Sequence, residues 1–231
     1  MERTTDFQVL LGQIKAMVPQ SFPTNSWYII VATNLLAAGR GDLFGDLFLN
    51  ATAGLDPASP LRQEVSERLR EVIIKSWTLV GMPRAIAASY SLQAVDPTDR
   101  RADPRRSELA LDPEKVMRRG KAWFEQAFQD LEPNIFSRFT HHKELEWALR
   151  YAVYGLFLGD LTLVTPVENE IIVLASVLPS GGSPTQTHMA VLLQLGVSTE
   201  EGDKLLDMCK KILQWAKVDT SSVPRYGDLV R

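Results

Sequence analysis

Apolar residues recur along this chain at helical spacing, and nowhere do they alternate over a sustained stretch as a half-buried strand requires. Phe7, Leu10, Leu11, Ile14 and Met17 predict a first helix over 5–18, stopped by Pro19. Trp27 to Ala38 predicts a second, mostly apolar helix, broken by Gly39 and Gly41. Leu43, Phe44, Leu47, Phe48 and Ala51 mark one face of a third over 42–53, ending at Gly54. Ser59-Pro60 opens a longer helix, with a stripe of Leu61, Val65, Leu69, Val72, Ile73 and Trp77 running to Gly81. Pro83 starts a short helix from Arg84 to about Leu92.

The second half repeats the style. Asp112-Pro113-Glu114 starts a helix with Val116, Trp123, Ala127 and Leu131 on its buried side, closed by Pro133. Thr140 is the predicted cap of a helix through Leu158, with Leu145, Leu149, Ala152, Val153 and Leu156 inside. Thr165-Pro166-Val167-Glu168 reads as a capping box, which occupies Glu168 and starts a helix over 166–178. Ser183-Pro184 opens another over 184–195. Ser198-Thr199-Glu200-Glu201 is a second capping box, and Leu205, Leu206, Cys209, Ile212 and Leu213 face inward from the helix it starts. About nine helices punctuated by Gly or Pro define an all-α protein.

The halves echo each other, which predicts a duplicated helical hairpin. Aligning Gly54 with Gly196 sets Asp46 against His188 and Tyr28 near Glu170. The expected organisation is an N-terminal half over 1–94, mainly structural, an exposed charged linker over 95–113, a second half over 114–218, and a polar, fraying tail over 219–231. In the linker, Arg100, Arg101, Arg105 and Arg106 alternate with Asp96, Asp99, Asp103 and Glu108, the composition of a solvated, self-paired strip.

Bulk properties narrow the function classes. A formal charge of −3 argues against a nucleic-acid partner. The single cysteine, Cys209, excludes an internal disulfide, a CxxC redox pair and a zinc cluster, and suits a reducing compartment. No apolar run approaches the ~20 residues of a membrane span, so no membrane association is expected. The N-terminal residues lack the layout of a secretory signal, which makes the cytoplasm the expected location, with organellar import left open.

One constellation carries chemistry. Glu170 precedes the run Ile171-Ile172-Val173-Leu174, whose all-round hydrophobicity implies burial. His188, Leu192 and Leu195 share one face of the next helix. A carboxylate and an imidazole thus point toward apolar surroundings from consecutive helices. A histidine satisfied in the core is the plain alternative. Burial should raise the Glu170 pKa from ~4.3 toward the imidazole's ~6.5, and a charged partner would pull it back. Such a pair can move a proton at neutral pH, with either residue as the acid.

Other candidates are weaker. His141-His142 lack nearby partners for a metal, and Cys209 falls on an inward stripe, where inert packing is expected. Trp27, Tyr28, Trp123, Trp147, Tyr151 and Tyr154 are core or pocket walls. Gly39-Arg40-Gly41 has no preceding strand and is not a phosphate loop. No cofactor and no metal is expected.

Gly120 to Val218 resembles the carboxymuconolactone decarboxylase-like family of the alkylhydroperoxidase D-like superfamily. The matching pieces are GKAWFEQAF, ENEIIVLASVL, and the histidine of PTQTHMAVLLQLGVSTEE. LREVIIKSWTLVGMPRAIAAS in the first half looks like the family's closing helix and its turn. The resemblance implies an all-α hairpin fold, a trimer or higher homo-oligomer, and a small-molecule substrate. It carries the family's carboxylate and histidine onto Glu170 and His188. The redox branch's cysteine positions are Gly181 and Pro184 here, so cysteine-pair peroxidase chemistry is excluded, and Asn169 stands where the family has an arginine. The function expected is that of a cofactor-independent lyase or decarboxylase acting on a carboxylated or β-keto-type substrate. The competing reading is a non-catalytic helical oligomer that binds or recruits.

Overall fold

A computed structural model describes residues 2–23, 25–96, 104, 106–129 and 135–229. The described residues are helical throughout the regular structure and contain no strand, so the protein is all-α. The elements are α1 (Glu2–Met17), α2 (Ser26–Ala37), a 3₁₀ turn at Gly41–Leu43, α3 (Phe44–Ala51), α4 (Pro60–Val80), α5 (Met82–Val95), α6 (Ser107–Ala110) and α7 (Pro113–Phe128). Then come α8 (Lys143–Ala148), which passes into a π-helical segment at Leu149–Leu158, α9 (Pro166–Val177), α10 (Gly182–Gln194) and α11 (Thr199–Trp215). Two compact units share the chain: residues 1–99 with 170–231, and residues 100–169. The division between Asn169 and Glu170 falls inside α9.

The larger unit is built around α2, every residue of which is buried. Helices α1, α3, α4, α5 and α11 all pack on it. Thr33 and Asn34 survive there by donating from Oγ1 and Nδ2 to the carbonyls of Ile29 and Ile30, at 2.9 and 2.8 Å. In α4 the apolar stripe holds from Val65 through Ile73, but Leu61, in its first turn, is 55% exposed. The same helix buries charges that its sequence would put at a surface. Arg68 Nη1 donates to Tyr28 Oη at 2.7 Å, and Lys75 lies 3.6 Å from Glu71 with both side chains out of water.

The smaller unit departs from the expected winding. Thr140 is not a cap: α8 starts at Lys143, with His142 in the cap position making no side-chain bond. From Leu149 the chain winds as a π-helix, so a stripe read at 3.6-residue spacing drifts off the buried face. Only Gly155 and Leu158 of that segment are buried, Leu145 is exposed, and Trp147 stands in solvent stacked on Tyr151 at 5.3 Å.

The segment's C-terminal carbonyls are taken by arginines. Arg106 Nε and Arg119 Nη2 donate to Leu156 O at 2.8 and 2.7 Å, and Arg119 Nε to Gly155 O at 2.7 Å. Both arginines also face the buried Asp160, at 3.1 and 3.7 Å. Arg106 is therefore a structural pin and not part of a solvated strip. Arg100, Arg101, Arg105, Asp99 and Asp103, like Leu131 and Pro133, lie outside the described residues.

Gly120 lets α7 approach the π segment closely. A Cβ at that position would sit 2.6 Å from Arg150 O and 2.9 Å from Gly155 N, both backbone atoms with no room to retreat. Gly120→Ala is expected to lower stability by about 1–3 kcal/mol, read as a shifted urea midpoint at unchanged slope.

Candidate functional site

The two residues singled out in the sequence meet inside the larger unit. Reciprocal bonds between Thr165 and Glu168 start α9: Thr165 N donates to Glu168 Oε2 at 3.0 Å, and Glu168 N to Thr165 Oγ1 at 3.2 Å. With Glu168 so occupied, Glu170 is left to turn into the core beside the fully buried Ile171, Ile172, Val173 and Leu174. The 3₁₀ turn Leu178–Ser180 and Gly181 reverse the chain into α10. The cap of α10 is Gly181 and not Ser183, whose carbonyl instead accepts from Thr187 Oγ1 at 3.0 Å.

His188, midway along α10, places its Nδ1 2.6 Å from Glu170 Oε1. Glu170 is 1% exposed and His188 8%. The second carboxyl oxygen, Glu170 Oε2, is buried and has no protein hydrogen-bond partner. Burial raises the Glu170 pKa above its ordinary value of 4.5, and the charge and hydrogen bond of His188 draw it partly back. When Nδ1–H donates to the carboxylate, the ring tautomer is fixed and Nε2 becomes the proton-exchanging atom. A buried carboxyl group and an imidazole in hydrogen-bond contact are the groups between which a proton can be exchanged.

Three features of this unit escape a reading of the sequence. The first is the run 219–229 after α11, which is tied down by its own contacts. Gln214 Nε2 donates to Thr220 Oγ1 at 3.0 Å, Ser222 packs on Gly181, and Arg225 pairs with Asp207 at 2.9 Å. The second is Tyr226, fully buried at the end of this strap, whose ring lies on Gly202 of α11. A Cβ at Gly202 would come within 2.6 Å of two ring carbons, so a glycine on the inward face of a strong helix was the available signal. The third is Thr185, one turn before His188, with a buried and unpartnered Oγ1.

The remaining candidates fall outside the site. Cys209 is fully buried, accepts from Asn34 Nδ2 at 3.3 Å, and has its pKa pushed up to about 12 by burial. His141 and His142 are exposed, and no group of three metal-ligating side chains occurs among the described residues. Asp46, the counterpart of His188 in the aligned halves, is half-buried, and Tyr28, the counterpart of Glu170, is held by Arg68. Among the described residues no helix is long and apolar enough to cross a membrane.

No protein-family model matches the chain, and no solved structure matches it. Among characterised proteins it is similar to Peroxisomal protein 2 of Schizosaccharomyces pombe, 26% identical over 179 residues that cover 75% of this chain and 79% of that protein.

The causes of the Glu170 shift oppose each other, which fixes the sign of a titration. Followed through its side-chain carboxyl carbon by NMR, Glu170 should titrate above 4.5 in the native protein. In His188→Ala the midpoint should move higher still, because the group that favours the carboxylate is gone while the burial remains. A midpoint at or below 4.5 would contradict this description of the site.

Proposed function

We propose that the protein is a cofactor-independent small-molecule lyase, similar in chemistry to the carboxymuconolactone decarboxylase-like proteins, acting on a carboxylated or β-keto-type substrate. The observation that carries this reading is the 2.6 Å contact between two buried titratable groups, one of which keeps a second oxygen unpartnered. A buried carboxyl oxygen without a partner costs about 1–3 kcal/mol, more if it is charged, and a site that receives a ligand has a reason to retain that cost.

In the proposed reaction the substrate's carbon–carboxylate bond breaks, carbon dioxide leaves, and the electron pair is held as an enolate. Protonated His188 delivers a proton from Nε2 to the enolate carbon. Glu170 holds the ring through Nδ1, stabilises its charged form, and helps it recover a proton for the next turnover.

The oligomer belongs to the same proposal: a trimer or larger assembly, to be read by light scattering. So does location. The sequence alone suggests the cytoplasm, whereas the S. pombe protein's name offers the peroxisome, and imaging of the tagged chain decides between them.

The test is turnover of acetoacetate, oxaloacetate and a carboxylated butenolide in D₂O, scoring carbon dioxide release and deuterium at the adjacent carbon. His188→Ala should lose about 10²–10⁴-fold with folding intact. Glu170→Gln should keep a smaller residual rate. Equal turnover in His188→Ala and the native protein would exclude this centre, and a native protein inactive on all three would favour a non-catalytic binding module.

A further inference from the structure

The smaller unit holds a cavity of about 190 Å³ where α7 meets the π-helical segment. Met117, Lys121 and Phe124 follow one another on α7 at i, i+4 and i+7 and so share its cavity face, with Arg118 beside them. Gly120 leaves the wall between them as bare backbone, and Arg150 closes the cavity from the π segment. The apolar part is fixed. Phe124 is 2% exposed and packs against Phe128 and Phe136, with ring centres 4.3 and 4.7 Å away. Arg150 is fixed too: its guanidinium lies 3.4 Å from the centre of the Phe136 ring, and its Nε donates to Glu146 Oε1 at 2.9 Å.

Charge around this cavity is one-sided. Three cations line it, and none of the described lining residues is acidic. Each cation has a carboxylate four residues away along its own helix, Glu114, Glu125 and Glu146, but none of these lines the cavity. Arg118 and Lys121 make their pairs at 3.5 Å with side chains about two-thirds exposed. An ion pair in that much water is worth little and yields to a better-placed anion. Like charges gathered over an apolar floor also focus positive potential into the concavity.

We propose that this cavity binds a small organic monocarboxylate, its head group on Arg118 and Lys121 beside the fixed charge of Arg150, its short hydrocarbon body on Met117 and Phe124. An inorganic anion would leave the apolar floor unused. The volume lies below the ~300–1,000 Å³ of sites for drug-sized ligands, so a nucleotide does not fit. The site belongs to the smaller unit, whereas Glu170 and His188 belong to the larger, and the proposal stands without the lyase reading.

Hexanoate is the probe, titrated into the whole chain labelled with carbon-13 at its methionine methyls, the Met117 signal being assigned through Met117→Leu. That signal should shift saturably, with a dissociation constant in the millimolar range fitting a ligand of few atoms, and the affinity should fall as salt rises. Arg118→Gln combined with Lys121→Gln should weaken binding about tenfold or more, with an unchanged thermal midpoint because both side chains stand in solvent. His188→Ala should bind hexanoate as the native protein does. Hexylammonium, which has the same tail and the opposite charge, should leave Met117 unmoved. The absence of a saturable shift, native affinity in the double variant, or a response to hexylammonium would each overturn the proposal. Loss of the Met117 shift in His188→Ala would do the same, by placing the ligand elsewhere. Inorganic phosphate binding as tightly as hexanoate would overturn the assigned class and leave a bare anion site.

Discussion

Because every residue of α2 is out of water, its polar groups turn to partners within the helix or on neighbours that come in to meet them, and Asn34 Oδ1 is left without one. Thr33 and Asn34 turn to carbonyls of their own helix. Tyr28 draws in Arg68 from α4, and Asn34 reaches the Cys209 thiol on α11. The apolar positions contribute about 1.5–3 kcal/mol each on burial, and together they outweigh the cost of bringing these few polar groups inside. The polar exceptions then fix register. A helix buried on all sides by hydrocarbon alone could slide or rotate among near-equal packings, whereas Tyr28–Arg68 and Asn34–Cys209 admit one.

The same constraint operates around Glu170, with a different outcome. Its Oε1 is matched by His188, but its Oε2 is not, and Tyr226 Oη and Thr185 Oγ1 in the same unit are likewise unmatched. Elsewhere in this unit buried charges are brought together, as Glu71 and Lys75 show. A buried carboxyl oxygen without a partner lowers stability, so Glu170 Oε2 marks a place where packing alone does not account for the residue.

Much of this was legible in the amino-acid order. The helices follow from spacing and from caps, and the Thr165 and Ser198 boxes form as their residues dictate. Glu170 and His188 were legible because each interrupts an otherwise apolar face, and a polar residue at such a place must find company. What escaped did so for identifiable reasons. The π segment carries the same residue types as an α-helix, and its winding is set by Gly120 and Gly155 meeting and by arginines that take its last carbonyls. Glu71 and Lys75, four apart on a helix, look like an exposed pair until tertiary packing covers them. Tyr226 was hidden by the polarity of its flanks. The passage from one compact unit to the other within α9 has no composition shift to betray it.

Cys209 illustrates a quieter property of the fold. Attack on sulfur by peroxides starts from the thiolate, and burial, by raising the pKa of this thiol, disfavours that form. Packed among Leu205, Leu206, Ile212 and Leu213, it is also out of reach of bulky oxidants. The chain thus carries its single sulfhydryl as buried filling, out of contact with solvent.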